Sequence, residues 1–360
     1  MAVSQGDIAF VGINTQGNSS GSNLDWFSFV ALKPIAAGSV IYFTDNELNT
    51  ATDATFNGSP TGGESYLKWT APAGGIAAGT VIQIQIPGSQ STAPAATSGT
   101  SAWVSFAGST GAGLSATTES VYAYTAAGDA SVNTPTSFLG QIYTGTSPAD
   151  ASPSSLDSKY VVKFADGSDS AYYSGLHSGY PNITDYLAFI SDTANWSKGD
   201  AGANLIYGAS QSASLVATPL GSLSVSGGSV VEGNSGTTTL TFTVTLSSAS
   251  VQTVTVDYAT FGGSADRDQD LTNYSSTPLT GTVTFAAGET VATVRIYARG
   301  DYAEESDESF RLELRNPSGA TFEGGNAAIS TVGWVLDNEP NADDRAIAVS
   351  QPVVTEGAAT

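Results

Sequence analysis

Unbroken alternation of polar and apolar residues constrains this chain more than any other feature. Thr239-Leu240-Thr241-Phe242-Thr243-Val244-Thr245-Leu246 alternates without error. Thr253-Val254-Thr255-Val256-Asp257-Tyr258 and Phe310-Arg311-Leu312-Glu313-Leu314 repeat the pattern. A period of two puts every second side chain on one face of an extended backbone. These segments therefore read as half-buried antiparallel strands. Stiff Thr and Val side chains suit that backbone. Few segments show a helical period, so the whole chain reads as all-β.

The strands fall into two groups, divided near residue 218 at Ala217-Thr218-Pro219-Leu220-Gly221. Residues 1–218 predict strands at 7–12, 26–30, 39–43, 81–86, 121–124, 160–164 and 186–190, separated by Gly and Pro clusters. A β-sandwich is the expected fold. Residues 219–341 predict seven strands, at about 223–231, 238–246, 252–259, 281–285, 290–298, 308–314 and 328–336. That number, with alternating patterning, predicts an immunoglobulin-like sandwich. Leu223-Ser224-Val225-Ser226 with Val230-Val231-Glu232-Gly233 returns 124 residues later as Ile347-Ala348-Val349-Ser350 with Val353-Val354-Thr355-Glu356-Gly357. Residues 342–360 are thus expected to begin a further repeat of a longer polypeptide.

Charge narrows the function. The chain has 33 acidic and 11 basic residues, a net charge of −22. Phosphate contacts need Lys and Arg, so nucleic acid is not an expected partner; cations are. Cys is absent and His177 is the one histidine, which excludes disulfide scaffolds, Cys zinc sites, Cys nucleophiles and multi-His metal centres. Gly17-Asn18-Ser19-Ser20-Gly21 satisfies Gly-x-Ser-x-Gly, but no helix follows this polar loop, so the context of a nucleophile elbow is missing. His177 sits in the loop-like Gly175-Leu176-His177-Ser178-Gly179 and reads as a surface residue. No spacing singles out a carboxylate pair, and no phosphate-cradling Gly loop carries a Lys. No catalytic residue is expected. No run of about 18 apolar residues offers a membrane span. The first residues lack the basic and apolar stretches of a secretory signal. The chain is then intracellular, already processed, or exported by a signal lying elsewhere.

The acids of the second group are not spread evenly. Glu232 follows the first strand, and Asp266, Asp268 and Asp270 follow the third. Asp301, Glu304, Glu305, Asp307 and Glu308 follow the fifth; Asp337 and Glu339 follow the seventh. If consecutive strands alternate in direction, all of these share one pole, and the opposite loops hold only Glu289 and Glu323. Crowded carboxylates repel and desolvate one another. A hard cation removes that cost, and calcium accepts six to eight oxygens. Asp266-Arg267-Asp268-Gln269-Asp270 has the spacing of an EF-hand start but lacks its sixth-position Gly and twelfth-position acid. In the first group, Asp45-Asn46-Glu47 reads as a turn or a cation ligand set, and Asp166-Gly167-Ser168-Asp169 as a turn. Trp26, Trp69, Trp103 and Trp196 read as core, with a sugar-binding face as the other reading.

The residues of the second group carry a resemblance. Val231-Glu232-Gly233, the run from Gly281 to Thr290 containing Phe285-Ala286-Ala287-Gly288-Glu289, Gly300-Asp301, Glu305-Ser306-Asp307-Glu308-Ser309-Phe310, Asn316-Pro317-Ser318-Gly319-Ala320 and Leu336-Asp337-Asn338-Glu339 together resemble a Calx-beta domain over about residues 220–340. The resemblance implies calcium ligands at Glu232, Asp301, Glu305, Glu308 and Asp337, with Asp266, Asp268 and Asp270 as further candidates. Asn338, inside the family's terminal acid triplet, implies fewer ions. Gly6-Asp7-Ile8-Ala9-Phe10-Val11-Gly12, Phe29-Val30-Ala31-Leu32, Ile35-Ala36-Ala37-Gly38 and Tyr42-Phe43-Thr44-Asp45-Asn46-Glu47 resemble an N-terminal module of large secreted bacterial surface-layer or hemolysin-like proteins. Together they imply a non-enzymatic, calcium-binding structural or adhesive segment at the cell surface. Its expected partners are calcium ions, neighbouring repeats, other copies of itself or surface glycans. An accessory region of a large extracellular hydrolase, or a carbohydrate-binding module, is the alternative.

Overall fold

The computed structural model describes residues 2–15, 25–46, 48–49, 55–56, 66–87, 91–104, 114, 119–144, 152–164, 168–199, 213–265, 270–271 and 279–339. Gly17 to Gly21, Glu47, Asp166, Gly167, Asp266, Asp268 and the suspected repeat at 342–360 lie outside the described residues. The chain forms two compact units, Met1–Pro219 and Leu220–Thr360. Among the described residues, no helix is long and apolar enough to cross a membrane.

In the first unit, the described strands are β1 (Ile8–Asn14), β2 (Asp25–Ala31), β3 (Val40–Thr44), β4 (Tyr66–Thr70), β5 (Val81–Ile86), β6 (Ala95–Ala96), β7 (Thr100–Val104), β8 (Glu119–Ala126), β9 (Pro135–Thr144), β10 (Val161–Phe164), β11 (Ser170–Tyr173) and β12 (Trp196–Gly199). They build one sheet in the order β12-β11-β1-β2-β5-β6 and another in the order β10-β9-β8-β3-β4-β7. Phe10, Phe27, Phe29, Phe43 and Trp69 fill the space between the sheets. Alternation sends Tyr42, Tyr122 and Tyr124 to the other side of the second sheet, where they pack with Phe56 and Phe138. This is a sandwich whose second sheet is apolar on both faces.

One expected strand is corrected. Residues 183–190 are helical: a 3-10 turn, Ile183–Tyr186, runs into the short helix α1 (Leu187–Ile190). Asn182 and Asp185 form a reciprocal capping box that starts the turn. Ile183, Tyr186 and Ile190 are buried, a spacing of three and four rather than two.

The second unit follows β13 (Ser222–Ser226), β14 (Gly228–Val231), β15 (Gly236–Leu246), β16 (Val254–Phe261), β17 (Thr280–Phe285), β18 (Val291–Gly300), β19 (Glu308–Ser318), β20 (Thr321–Phe322) and β21 (Ala328–Leu336). The sheets are β18-β15-β13-β20 and β14-β21-β19-β16-β17. Leu240, Phe242, Val244 and Leu246 of β15 face Phe310, Leu312 and Leu314 of β19 across the core. The Phe242 and Phe310 rings meet edge to face at 5.8 Å. Burying each such side chain contributes about 1.5–3 kcal/mol.

The expected first strand is in fact two. β13 pairs antiparallel with β15, whereas β14 crosses to the other sheet and pairs parallel with β21. Gly227 makes the crossing, because a Cβ there would lie 2.2 Å from the Val332 carbonyl oxygen. The crossing sets Val231 beside Leu336, so Glu232 and Asp337 leave adjacent strands at the same end.

Candidate metal centre

Glu232 continues the parallel pairing by one residue: its N–H donates to the Leu336 carbonyl at 3.1 Å. Its own carbonyl accepts from Thr238 Oγ1 at 2.7 Å. Gly233 then turns away at φ 86°, and its N–H donates to Asn338 Oδ1 at 2.6 Å. Asn338 thus ties the first loop to the last. It also donates through Nδ2 to Glu339 Oε1 at 2.9 Å. With Asn338 held, Asp337 and Glu339 turn to the same side, as residues two apart do in extended backbone.

Glu232, Asp337 and Glu339 then offer oxygens that all lie within 4.8 Å of one another. Glu232 is only 3% exposed, and its Oε1 has no hydrogen-bond partner. Glu339 Oε2 is likewise buried and unpartnered. Around this triad, Asp337 Oδ2 accepts from the Glu305 N–H at 3.4 Å, and Asp307 Oδ1 accepts from the Asp337 N–H at 3.2 Å. Asp301 Oδ1 caps the next turn by accepting from the Ala303 N–H at 2.6 Å. Buried Asp270 reaches the group from the third strand's loop, its carbonyl accepting the Arg299 N–H at 2.7 Å.

The electrostatics follow from this crowding. Burial, and then the charges of Glu305, Asp337, Asp301 and Glu339, push Glu232 up to about 7. Burial also raises Glu305, aided by Asp270, Asp301, Asp337 and Glu339. Glu339 is raised by burial, then by its hydrogen bond to Asp337 and that carboxylate's charge. Two like charges this close repel by about 3–4 kcal/mol at an effective dielectric constant near 20.

The residues fit a hard cation. The donors are all oxygens, and ligands on a shell of radius about 2.3–2.6 Å lie up to about 5 Å apart. The orphaned Glu232 and Glu339 oxygens are the groups such an ion would satisfy. Of the sequence candidates, the structure joins Glu232 and Asp337 directly and brings Asp270, Asp301 and Glu305 within electrostatic reach. Glu308 opens β19 opposite Val335 and is not one of the three meeting carboxylates. Glu339 was absent from the expected ligand set; its signal was the two-residue spacing from Asp337.

Close packing holds the centre together. A Cβ on Gly300 would lie 2.0 Å from the Gly233 carbonyl oxygen and 2.9 Å from that of Glu232. Gly300→Ala is therefore expected to displace the Glu232 loop, destabilising the unit by about 1–3 kcal/mol. Chemical denaturation measures that loss; an unchanged midpoint would contradict this packing.

Of the four expected core tryptophans, three lie in the core and Trp103 is half-buried against it. Trp26, Trp69 and Trp196 are at most 6% exposed. Trp69, Trp103 and Trp196 each donate their ring N–H to a backbone carbonyl, of Ser98, Thr92 and Ile190, at 2.8 Å.

Residues 223–337 match the family model of the Calx-beta domain. Among curated proteins, none matches the chain. Solved structures similar to it include the apo-form Calx CBD1 domain, at 22% identity and a TM-score of 0.26, covering 33% of this chain and 99% of that one. The calcium binding domain CBD12 of CALX1.1 is 25% identical with a TM-score of 0.26, covering 32% of this chain and 46% of that one. The Calx CBD2 domain is 14% identical with a TM-score of 0.25, covering 34% and 88%.

Proposed function

We propose that residues 220–339 bind calcium, and that the ion acts mechanically rather than catalytically. Glu232, Asp337 and Glu339 would hold it, with Asp301, Glu305 and Asp270 completing or neutralising the surrounding shell. Asp266 and Asp268 remain candidates from the sequence. When bound, the ion supplies positive charge and oxygen coordination. The chain's own contribution is to hold the loops after β14, β18 and β21 in register, through the Gly233–Asn338 and Glu305–Asp337 hydrogen bonds. Ion binding then stiffens the tip from which the chain continues past residue 339.

The observation that carries this reading is the buried, unpartnered Glu232 oxygen facing two further carboxylates. The match of residues 223–337 to the Calx-beta family supports it. On the same reading the chain is a non-enzymatic part of an exported, surface-layer-like bacterial protein, with neighbouring repeats as partners. The net charge of −22 and the sequence repeat at 347–357 favour that setting.

Isothermal titration of calcium into the chelator-treated full chain tests the site. A saturable heat that Glu232→Gln with Asp337→Asn removes supports it. A heat unchanged by that pair of substitutions rejects it.

A further inference from the structure

The outward face of one C-terminal sheet runs against the charge of the chain. On β18 the buried residues are Val294, Ile296 and Ala298, so alternation turns Arg295, Tyr297 and Arg299 to solvent. Each stands directly opposite a threonine of β15: Arg295 opposite Thr241, Tyr297 opposite Thr239, and Arg299 opposite Thr237. Farther along, Thr243 and Thr245 of β15 lie beside Ser226 and Ser224 of β13. No outward-facing residue of these three strands is acidic, although the chain carries a net charge of −22.

The strip is open to a ligand. Among the described residues, no carboxylate pairs with Arg295 or Arg299, whereas Arg311 on the other sheet pairs with Glu313 at 3.4 Å. The side chains of Tyr297, Thr237, Thr239 and Thr241 form no hydrogen bond with those residues. Tyr297 is 37% exposed. At its Gly300 end the strip opens into a groove of about 710 Å³, lined by Arg299, Asn234, Ser235, Asp301 and the exposed Tyr302. Asp301 is the acid of this lining, and its Oδ1 accepts from the Ala303 N–H at 2.6 Å.

The chemistry of the strip narrows the occupant. Two guanidinium forks four residues apart on one strand stand about 13 Å from each other. Such forks take carboxylates, and two in line take carboxylates repeated along an extended molecule. The tyrosine ring between them offers a flat apolar face with a polar tip, on which a sugar ring packs. The threonine hydroxyls beside it both donate and accept, as sugar hydroxyls require. An acidic peptide would use the arginines and leave the ring and the hydroxyls without a role.

We propose that Arg295, Tyr297 and Arg299, with Thr237, Thr239 and Thr241, bind an acidic polysaccharide. Charge complementarity selects the acidic class, because this face is a cationic strip on an anionic chain. The inference does not depend on the metal centre, whose carboxylates lie in the loops after β14 and β21.

Calorimetric titration of oligogalacturonate, a chain of uronic acids, into the full chain tests it. Chelator is present throughout, so that calcium cannot bridge the saccharide to the acidic tip. Saturable binding is expected, and an uncharged maltooligosaccharide should give none. Arg295→Gln with Arg299→Gln should weaken binding about tenfold or more. Tyr297→Ala should weaken it about fivefold. Arg311→Gln with Arg315→Gln makes the same charge change on the other sheet and should leave it unaltered. All five side chains are exposed, so each variant should keep the parent's unfolding midpoint. No binding, or binding that the two arginine pairs weaken alike, overturns the proposal. Polyglutamate bound as tightly as the saccharide, and indifferent to Tyr297→Ala, would give the strip to an acidic protein segment and overturn it as well.

Discussion

Saturating calcium is expected to raise the unfolding temperature of the C-terminal unit, and chelation to lower it by the same amount. The size follows from linkage, because an ion that binds only the folded state stabilises it by RT ln(1 + [L]/Kd). At a hundredfold excess over Kd this is about 2.7 kcal/mol. For a domain of this length, that corresponds to a shift on the order of 10 °C. The folded state alone assembles the ligands, since Glu232, Asp337 and Glu339 meet only after β14 crosses at Gly227 to pair with β21. Differential scanning calorimetry of the full chain reads the shift. Glu232→Gln, which keeps shape and removes charge, should abolish it. Coincident midpoints with calcium and with chelator would falsify the metal centre.

Much of the second unit was legible because one face of each strand meets water. Leu240, Phe242, Val244 and Leu246 are all buried, and the threonines between them are not. The pole was legible for a related reason: with directions alternating, the residues after β14, β18 and β21 had to meet at one end. What was hidden depended on contacts between distant residues. The run 223–231 looks continuous until Val332 shows that only Gly fits at 227. Glu339 joins the triad only because Asn338 turns back to Gly233. In the first unit, Tyr186-Leu187-Ala188-Phe189-Ile190 is apolar throughout, and a short apolar run does not distinguish strand from helix. The deciding signal lay upstream, in Asn182 and Asp185. Strand β9 was masked by Pro135 and Gly140, which read as loop punctuation.

Calcium-free protein should lose stability as pH rises from about 4.5 to about 7. Glu232 sits near 4.5 when unfolded and about 7 when folded. The folded state therefore holds this proton more tightly, and stability falls with pH wherever the folded state binds more protons. The loss begins at the unfolded value, is complete above the folded one, and amounts to on the order of 2–3 kcal/mol from this group. Glu232→Gln makes a prediction of opposite sign to its effect on calcium binding. Without the ion, the variant lacks the buried Glu232 charge at neutral pH, so it should be more stable than the parent by a similar amount. Below about pH 4.5 the two should converge. With calcium present the order reverses, because the parent gains an ion that the variant cannot hold. Urea denaturation at pH 5 and pH 8, with and without calcium, reads all four corners. A parent more stable than the variant at pH 8 without calcium would mean that the Glu232 carboxylate is compensated by the protein itself, and the need for a cation at this tip would disappear.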